Sequence, residues 1–334
     1  MKAAQVQEKG GDFVIVDLDK PKPGKKEVLI KVEACGICHS DAFVKDGTFP
    51  GIQYPRVPGH EVVGIVEEVG EDVEMWKKGK RVGVGWHGGH CFECDPCRRG
   101  DFINCENAQV SGISYDGGYA EYMTAPQEAV AAVPEELSSA EAAPLLCAGI
   151  TVFNALRNSG IKPGDLVAVQ GIGGLGHLGL QYAVKMGMRT VAISHSDSKK
   201  DLAKELGAHH FINTDKEDPA KALQKLGGAK LILATAPVSE AITAVVGGLG
   251  IDGKLLCVAA TGEPVKVAPM QLLMGRKSIA GWPSGTAKDS EDTLNFSALT
   301  ATVPMIEEYP LEEVNKAYDR MINNEARFRV VLKP

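Results

Sequence analysis

The chain has 334 residues, of which 44% are hydrophobic and 24% charged, and its formal net charge is −7. The length suggests about two domains, and the near-average composition excludes a largely disordered chain, a collagen-like repeat and a small disulfide scaffold. No run reaches the roughly 20 apolar residues that cross a bilayer, and no basic block points to nucleic acid. The N-terminal residues turn polar before a secretory apolar segment could form, so we expect a cytoplasmic protein without membrane or nucleic-acid partners.

The first candidate site follows an apolar, alternating segment at 27–34, which predicts a strand running into a loop. That loop begins with Cys35-Gly-Ile-Cys38, a spacing shared with thioredoxin-like redox pairs. Cys35 equally fits a small buried residue at the end of the strand. Cys38 differs, because polar residues that could act beside a ligand follow it: His39, Ser40 and Asp41.

Two further candidate ligands stand alone in the sequence. His60, followed by Glu61, lies in a turn that leads into an apolar strand at 62–66, and Cys147 lies in an apolar segment. A histidine at a strand edge is frequently a satisfied surface residue, and free cysteine is commonly buried. The residues alone therefore assign neither to a metal.

Four cysteines cluster between these candidates: Cys91, Cys94, Cys97 and Cys105. Two-residue gaps let neighbouring thiolates converge on one ion, and four sulfurs describe a closed tetrahedral zinc site that stabilises a loop. A bacterial iron–sulfur cluster would place the fourth cysteine after three residues, followed by proline, which is not found here. Disulfides would suit an exported chain. We therefore predict a structural zinc site.

From residue 165 the pattern becomes regular. A short apolar strand at 166–170 precedes Gly171-Ile-Gly173-Gly174-Leu175-Gly176 and a helix that closes at Gly187. This strand–glycine turn–helix context is what a dinucleotide diphosphate needs, since the glycines let its oxygens approach backbone N–H groups at a helix start. An ordinary glycine-rich turn is the alternative.

Further strands and helices alternate after this turn, which predicts an α/β fold with a doubly wound parallel sheet. The predicted strands are 166–170, 189–194, 210–213, 230–234, 254–259 and 278–282. The predicted helices between them are 198–206, 219–226, 239–249 and 269–274.

The end of the second strand of such a sheet usually distinguishes the two nicotinamide cofactors, because an acidic residue there binds the ribose and repels a 2′-phosphate. Ser194 occupies this position, and Asp197, the only nearby acid, is predicted to cap the next helix. Donors suited to a phosphate surround it: His195, Ser196, Lys199 and Lys200. The sequence thus favours NADP over NAD, although the lysines could equally form a solvated helix face.

Together these motifs resemble the zinc-dependent alcohol dehydrogenases of the medium-chain dehydrogenase/reductase superfamily. The resemblance covers nearly the whole chain, and the motifs follow the order of the family. They are Cys38-His-Ser-Asp41, Gly59-His60-Glu61, the four-cysteine lobe 91–105, the segment 143–149, the turn 171–176 and a terminal Arg329-Val-Val-Leu.

The resemblance implies roles for these residues. Cys38, His60 and Cys147 would bind a catalytic zinc, a set that favours simple alcohols over sugars, and Glu61 would be an alternative ligand. Asp41 would orient His60, and Ser40 would take the alcohol proton. The turn 171–176, with Leu175, would bind the cofactor, and His39 and Arg329 would contact its diphosphate. Pocket residues would be Phe49, Trp86 and Trp282.

The implied activity is reversible hydride transfer between a primary or secondary alcohol and a nicotinamide cofactor, with two zinc ions per chain. Three alternatives remain at this stage. One is an NADPH-dependent aldehyde reductase of the cinnamyl-alcohol-dehydrogenase type, and another is a zinc-free quinone or enone reductase. The third is a non-catalytic cofactor-binding protein.

One position departs from the family pattern. Many relatives carry a histidine five residues after the first zinc-ligand cysteine, where it passes the proton to solvent, and this chain has Phe43 there. We therefore expect a flatter pH dependence of hydride transfer than in histidine-bearing relatives.

The resemblance also implies an architecture. Residues 1–146 and 287–334 would form a discontinuous, β-rich, GroES-like catalytic domain, into which a Rossmann domain, 147–286, is inserted. The site would lie in the cleft between them. Homodimers or homotetramers would form through the edge strand 278–282.

Overall fold

Two β-sheets, of seven and six strands, organise the chain in the computed structural model, which describes all residues from 1 to 334. They belong to two units, residues 1–150 with 284–334 and residues 151–283. The strands are β1 (Lys2–Val6), β2 (Phe13–Asp17), β3 (Glu27–Ile37), β4 (Val62–Val69), β5 (Arg81–Val84), β6 (His87–Gly89), β7 (Gln109–Val110), β8 (Tyr122–Pro126), β9 (Val130–Ala132), β10 (Leu166–Gln170), β11 (Arg189–Ser194), β12 (His210–Asn213), β13 (Ala229–Ala234), β14 (Leu249–Cys257), β15 (Ser278–Gly281), β16 (Ile306–Pro310) and β17 (Arg329–Lys333). The helices are α1 (Ala42–Lys45), α2 (Asp95–Arg98), α3 (Ser139–Pro144), α4 (Ile150–Arg157), α5 (Gly176–Lys185), α6 (Lys200–Glu205), α7 (Pro219–Lys225), α8 (Ser239–Val245), α9 (Pro269–Leu273), α10 (Ala287–Thr300) and α11 (Val314–Ile322).

Strand β3 is the centre of the first unit. The sheet order is β16-β17-β3-β4-β5-β9, and β8 also pairs with β3. The strand predicted at 27–34 continues to Ile37, because its last residues pair with both β17 and β4, with Cys35 opposite Val62. Its apolar residues, such as Val28 and Ile30, are buried in the core of this unit. This strand delivers the chain directly to Cys38.

The second unit contains the predicted doubly wound sheet. All six strands are parallel, in the order β12-β11-β10-β13-β14-β15, which is the strand order of the Rossmann dinucleotide-binding fold. Every residue of β10 is buried, as expected for a central strand covered on both faces. The predicted α/β fold class is confirmed, and β10, β11 and β12 have the predicted bounds.

Two local predictions in this unit are wrong. Strand β14 begins at Leu249 rather than 254, because it joins β13 through a register shift at Ala229 and Leu231 that a glycine-rich segment accommodates. Asp197 does not cap the following helix. Its carboxylate accepts hydrogen bonds from Asn213 Nδ2, at 2.8 Å, and from Lys216 Nζ, so it is held by the neighbouring strand end instead.

One helical stretch, Ser139–Arg157, is long and apolar enough to be considered as a membrane span, and 83% of its apolar window is buried inside the protein. The core helix of a soluble protein passes the same test. Within this stretch α3 and α4 are joined by a π-helical turn, Leu145–Gly149, which contains Cys147. Such wide turns within helices occur frequently at functional sites.

Candidate functional site

Four potential ligands converge in the first unit. Cys38 follows β3, His60 and Glu61 precede β4, and Cys147 lies in the π-helical turn. Their ligand atoms all lie within 4.8 Å of one another, and the Sγ atoms of Cys38 and Cys147 are 3.8 Å apart although 109 positions separate them. The pairing of β3 with β4 brings the first three together, so the sheet builds most of this cluster.

Two glycines make room for the cluster. Gly59 has φ +105°, a backbone conformation that residues with a side chain rarely adopt, and it turns the chain so that His60 points inward. A Cβ at Gly36 would lie 1.9 Å from Glu61 Oε2, so only glycine leaves space there for the carboxylate. Gly36, within the Cys35-Gly-Ile-Cys38 segment, is therefore explained by the space that the Glu61 carboxylate needs rather than by a redox pair.

Asp41 fixes the orientation of His60. Its Oδ1 lies 3.1 Å from His60 Nδ1, while its Oδ2 accepts hydrogen bonds from the Tyr119 hydroxyl and the Cys38 N–H, each at 2.8 Å. Because a carboxylate accepts, Nδ1 carries the proton and Nε2 presents a lone pair, as in metal-bound histidines. Nε2 is buried and has no hydrogen-bond partner.

Tyr119 was not found by sequence reasoning. It is fully buried and lies 78 positions from Asp41, in no recognisable motif. Its only local signal is the glycine pair before it, Gly117-Gly118, whose close packing against the segment 57–62 places the ring beside Asp41.

Glu61 makes a buried ion pair. Its Oε1 accepts a hydrogen bond from Arg329 Nη2, which also donates to the Ile37 carbonyl at 3.1 Å. Burial raises the pKa of Glu61 to about 7, against the opposing effect of Arg329. Glu61 Oε2 is buried without a partner and belongs to the ligand cluster, whereas the Arg329 side chain is only 4% exposed and held against Glu61.

The donor set fits zinc. Two sulfurs bound at about 2.3 Å in a tetrahedral arrangement lie about 3.8 Å apart, which matches the Cys38–Cys147 separation. The hydrogen bond from Cys147, together with His60 and Arg329, holds the pKa of Cys38 well below its usual range despite burial. A thiolate and an orphaned imidazole nitrogen thus face one point, and a metal ion would satisfy both.

The four-cysteine lobe forms a second cluster. Cys105 Sγ lies 3.6 Å from Cys91 Sγ and 3.8 Å from Cys94 Sγ, and Cys97 completes the group on α2. All eight cysteines of the chain are free thiols. Hydrogen bonds from Asn107 and from the backbone N–H groups of Glu93 and Cys94 lower the pKa of Cys91 to about 6, which favours its thiolate. This closed set of four sulfurs fits zinc as well.

Aromatic side chains pack beside the first cluster. Phe43, Phe49 and Trp86 have ring centroids 6.0 to 6.4 Å apart, and Trp86 lies 5.1 Å from His60 with perpendicular rings. Ser40 Oγ is 3.8 Å from Cys38 Sγ. The structure thus brings two of the predicted pocket residues to the predicted zinc ligands. Trp282 belongs to the second unit, after β15, where its indole Nε1 is buried without a partner, and His39 is exposed.

The glycine-rich turn joins β10 to α5 in the second unit. Gly171 has φ +91°, and a Cβ at Gly176 would lie 1.9 Å from the Gly171 carbonyl oxygen, so these two glycines are required by the protein itself. A Cβ at Gly173 would meet nothing within 4 Å. Gly173 therefore leaves open backbone surface beside Gly174 and Leu175, which fits the close approach of a diphosphate.

These contacts predict that two glycine substitutions affect different properties, the stability of the protein in one case and cofactor binding in the other. Gly176→Ala forces the turn away from α5 and lowers the free energy of unfolding by about 1–3 kcal/mol. Gly173→Ala leaves that free energy within about 0.5 kcal/mol of the original and instead weakens binding of a nicotinamide cofactor. Thermal unfolding without cofactor, combined with fluorescence titration of NADH and NADPH, measures both. Destabilisation by Gly173→Ala would contradict the assignment.

The predicted phosphate donors lie at and after the carboxyl end of β11, which is Ser194. Ser194 is buried, His195 is exposed, and the Ser196 hydroxyl lies 2.8 Å from that of Ser198. Lys199 is half-buried, and its Nζ donates to the Ile172 carbonyl in the glycine-rich turn at 2.6 Å. No acidic residue occupies the ribose position.

Fold and clusters together define a metal-binding dehydrogenase with a dinucleotide-binding unit, and the comparisons with known proteins agree. The family described as "Alcohol dehydrogenase GroES-like domain" matches residues 24–135, and the family "Zinc-binding dehydrogenase" matches residues 174–299. The alcohol dehydrogenase patD of Penicillium expansum is 48% identical over 331 residues, which cover 99% of this chain and 97% of the relative.

Two solved structures are also similar. A cinnamyl alcohol dehydrogenase from Sorghum bicolor superposes with a TM-score of 0.89 and 31% identity, covering 99% of this chain and 97% of that one. The structure of CAD from Helicobacter pylori complexed with NADP(H) gives a TM-score of 0.87 and 27% identity, covering 99% of this chain and 97% of that one. The chain belongs to the zinc-dependent alcohol dehydrogenases of the medium-chain dehydrogenase/reductase superfamily, as its sequence motifs predicted. It is an oxidoreductase of the alcohol dehydrogenase class.

Proposed function

We propose that this alcohol dehydrogenase interconverts small or flat alcohols with their aldehydes or ketones, with a catalytic zinc held by Cys38, His60 and Cys147 and with NADP(H) as cofactor. The buried cluster in the first unit carries the proposal, because a low-pKa thiol and an unpartnered imidazole nitrogen face one point. Bound zinc supplies a Lewis acid that polarises the oxygen of the substrate.

The residues of the chain prepare this chemistry. Asp41 holds His60 in the tautomer that leaves Nε2 available, and Tyr119 and the Cys38 N–H hold Asp41 in turn. Ser40, with its hydroxyl 3.8 Å from the Cys38 sulfur, is placed to take the proton of an alcohol bound at the open position. Glu61 lies within the cluster and would be an alternative ligand of the metal.

The aromatic cluster supports the proposed substrate class. Trp86 packs edge-on against His60, and Phe43 and Phe49 pack against Trp86, which places rigid apolar rings beside the cluster. Such walls bury apolar or planar groups and leave the many hydroxyls of a sugar without partners, which is costly. The substrates we propose are therefore simple primary or secondary alcohols, including aromatic ones.

The test combines metal analysis with a substrate panel. We expect two zinc ions per chain, one for each cluster, and oxidation of ethanol or benzyl alcohol that chelation abolishes. Reduction of cinnamaldehyde-type substrates far above all others would favour the aldehyde reductase alternative. Activity of the metal-free protein would indicate a quinone or enone reductase, and an inert, fully metallated protein would leave only cofactor binding.

The cofactor preference rests on the loop after β11. Ser194 stands where an acidic residue would repel a 2′-phosphate, and the relative from Helicobacter pylori was solved with NADP(H). We assign the 2′-phosphate to donors at and after the end of β11: Ser194, His195, Ser196 and Lys199. His39 and Arg329 remain our candidates for the diphosphate, although Arg329 also pairs with Glu61.

Replacing Ser194 tests this preference. Ser194→Asp places a carboxylate against the 2′-phosphate, so kcat/KM for NADPH falls by about 100-fold while that for NADH changes little. Steady-state kinetics with NADPH and NADH measures the resulting change in cofactor preference. Ser194→Ala is the control, because it removes the hydroxyl without adding charge and leaves NADPH preferred. An unchanged cofactor ratio in Ser194→Asp would refute the assignment.

Phe43 predicts an unusual pH profile. No imidazole occupies this position to carry the proton to solvent, so alcohol oxidation depends weakly on pH around neutrality. Phe43→His adds a base that is active only when neutral, and the rate then rises with pH through about 6.5. Pre-steady-state hydride transfer measured between pH 5 and 9 reports the change. Phe43→Leu is the control, because it removes the ring without adding a titrating group and keeps the original pH profile. An unchanged pH profile in Phe43→His would contradict the role of position 43 in proton transfer.

Domain organisation, assembly and location complete the proposal. We assign 1–146 with 287–334 to the GroES-like catalytic domain and 147–286 to the Rossmann domain, which the division into units supports.

A homodimer or homotetramer through β15 is supported by the position of that strand at the sheet edge and by the exposed apolar residues Ile251, Met270, Leu273 and Met274. A cytoplasmic location remains a prediction from the sequence.

A further inference from the structure

Side chains from three different parts of the second unit donate hydrogen bonds to the backbone carbonyl oxygens at the start of the glycine-rich turn. The Thr235 hydroxyl lies 2.9 Å from the Gln170 carbonyl oxygen and 3.0 Å from that of Gly171. Lys199 Nζ donates to Ile172 at 2.6 Å, and His177 Nδ1 donates to Gly173 at 2.9 Å. Four consecutive carbonyls, 170–173, are thus bound by side chains.

Peptide geometry gives this arrangement a consequence. In a planar trans peptide, the carbonyl of one residue and the N–H of the next point in opposite directions. Holding the carbonyls of Gly171, Ile172 and Gly173 therefore fixes the N–H groups of the following residues, 172–174, each pointing away from the side chain that holds its peptide group. These three N–H groups donate no hydrogen bond within the protein.

The backbone beside these N–H groups is open, since a Cβ at Gly173 would meet nothing within 4 Å. Backbone N–H groups that converge at the start of a helix bind phosphate oxygens, and groups held in place before binding lose less entropy when the ligand arrives. The carbonyl contacts therefore fix the donors that a dinucleotide diphosphate requires.

We propose that Lys199 is a positioning residue for both nicotinamide cofactors, because its ammonium group, with Thr235 and His177, holds the glycine-rich turn in its diphosphate-binding conformation. The inference rests on the proposed function, in which this turn binds the cofactor. It goes beyond that function, because a lysine that served only the 2′-phosphate would be irrelevant to NADH. In addition to the assigned 2′-phosphate, Lys199 thus contributes to a surface that NADH and NADPH share.

Lys199 is the most informative member of the set. It is half-buried, with its ammonium group on the Ile172 carbonyl, whereas Lys204 on α6 is exposed and carries the same charge. Removing either lysine changes the net charge equally, but only one removal releases the turn. Thr235→Val provides an independent release, since valine keeps the shape of threonine and lacks the hydroxyl.

The experiment measures equilibrium binding of NADH and of NADPH to the complete, zinc-loaded protein by fluorescence titration. We expect Lys199→Ala to weaken NADH by about ten-fold, the loss typical of one hydrogen bond to a charged group, and to weaken NADPH at least as much. Thr235→Val weakens both cofactors by a similar factor, and Lys204→Ala weakens neither. In cofactor-free Lys199→Ala, amide hydrogen exchange in the segment 170–177 is faster than in the original protein.

Unchanged NADH binding in Lys199→Ala, with weaker NADPH binding, would overturn the proposal and leave Lys199 as a phosphate ligand only. Equal losses in Lys199→Ala and Lys204→Ala would also overturn it, since a general charge effect would then explain both. The proposed function fails in a different way, because the unmodified protein would then bind neither cofactor. Preference of the unmodified protein for NADH would correct the cofactor assignment while leaving this test intact.

Discussion

Cys38→Ser is expected to reduce kcat/KM for alcohol oxidation by about three orders of magnitude or more and to remove one of the two zinc ions. The size follows from the several kcal/mol that a Lewis acid contributes to the transition state, since each 1.4 kcal/mol corresponds to about ten-fold in rate. Serine has nearly the shape of cysteine, so packing in this buried position is kept. Metal analysis and steady-state kinetics on the same sample link the two losses.

A second cysteine provides the control. Cys35 lies three residues earlier, is equally buried, and packs against Gly59 and Gly118 without belonging to the metal cluster. Cys35→Ala costs about 1 kcal/mol of stability and keeps both zinc ions and the activity. If Cys38→Ser retains two zinc ions, or if Cys35→Ala loses one, the ligand assignment is wrong.

Cys97→Ser in the four-cysteine lobe is expected to have its largest effect on stability rather than on rate. A structural zinc contributes much of the free energy that orders its loop, so losing several kcal/mol lowers the melting temperature by about 10 °C, at about 2–4 °C per kcal/mol. The remaining zinc stays at the first cluster, so activity per catalytic zinc is largely kept well below the melting temperature.

Differential scanning calorimetry, zinc analysis and limited proteolysis of the segment 91–105 report this change. Cys257→Ser is the matched control, because Cys257 is a half-buried free thiol at the end of β14 and outside both metal clusters. A variant of Cys97 that melts at the original temperature with two zinc ions would contradict a structural role for the lobe.

The two clusters differed in how far the sequence alone could assign them. The lobe Cys91–Cys105 was predicted from spacing, because ligands that are close along the chain must also be close in space. Cys38, His60 and Cys147 were assigned only through resemblance, since the pairing of β3 with β4 and a π-helical turn bring them together. Neither long-range register nor the widening of a helical turn leaves a local sequence pattern.

The parallel sheet was predicted well for a related reason. Its short strands are buried on both faces and separated by helices with clear apolar spacing, so each unit can be recognised on its own. The error at β14 arose where a glycine-rich segment carries a strand through an irregular register. Tyr119, Thr235 and His177 were missed because each acts through a hydrogen bond to a residue that is distant in sequence or to a backbone carbonyl.

The candidate zinc ligands all come from the first unit, 1–150 with 284–334. No ligand of the metal is therefore supplied by the nucleotide unit. We expect zinc affinity to be the same whether or not a nicotinamide is bound, except for any direct field effect of the cofactor. If the two are independent, substitutions in the nucleotide unit can change which nicotinamide cofactor is bound without changing the metal ligands.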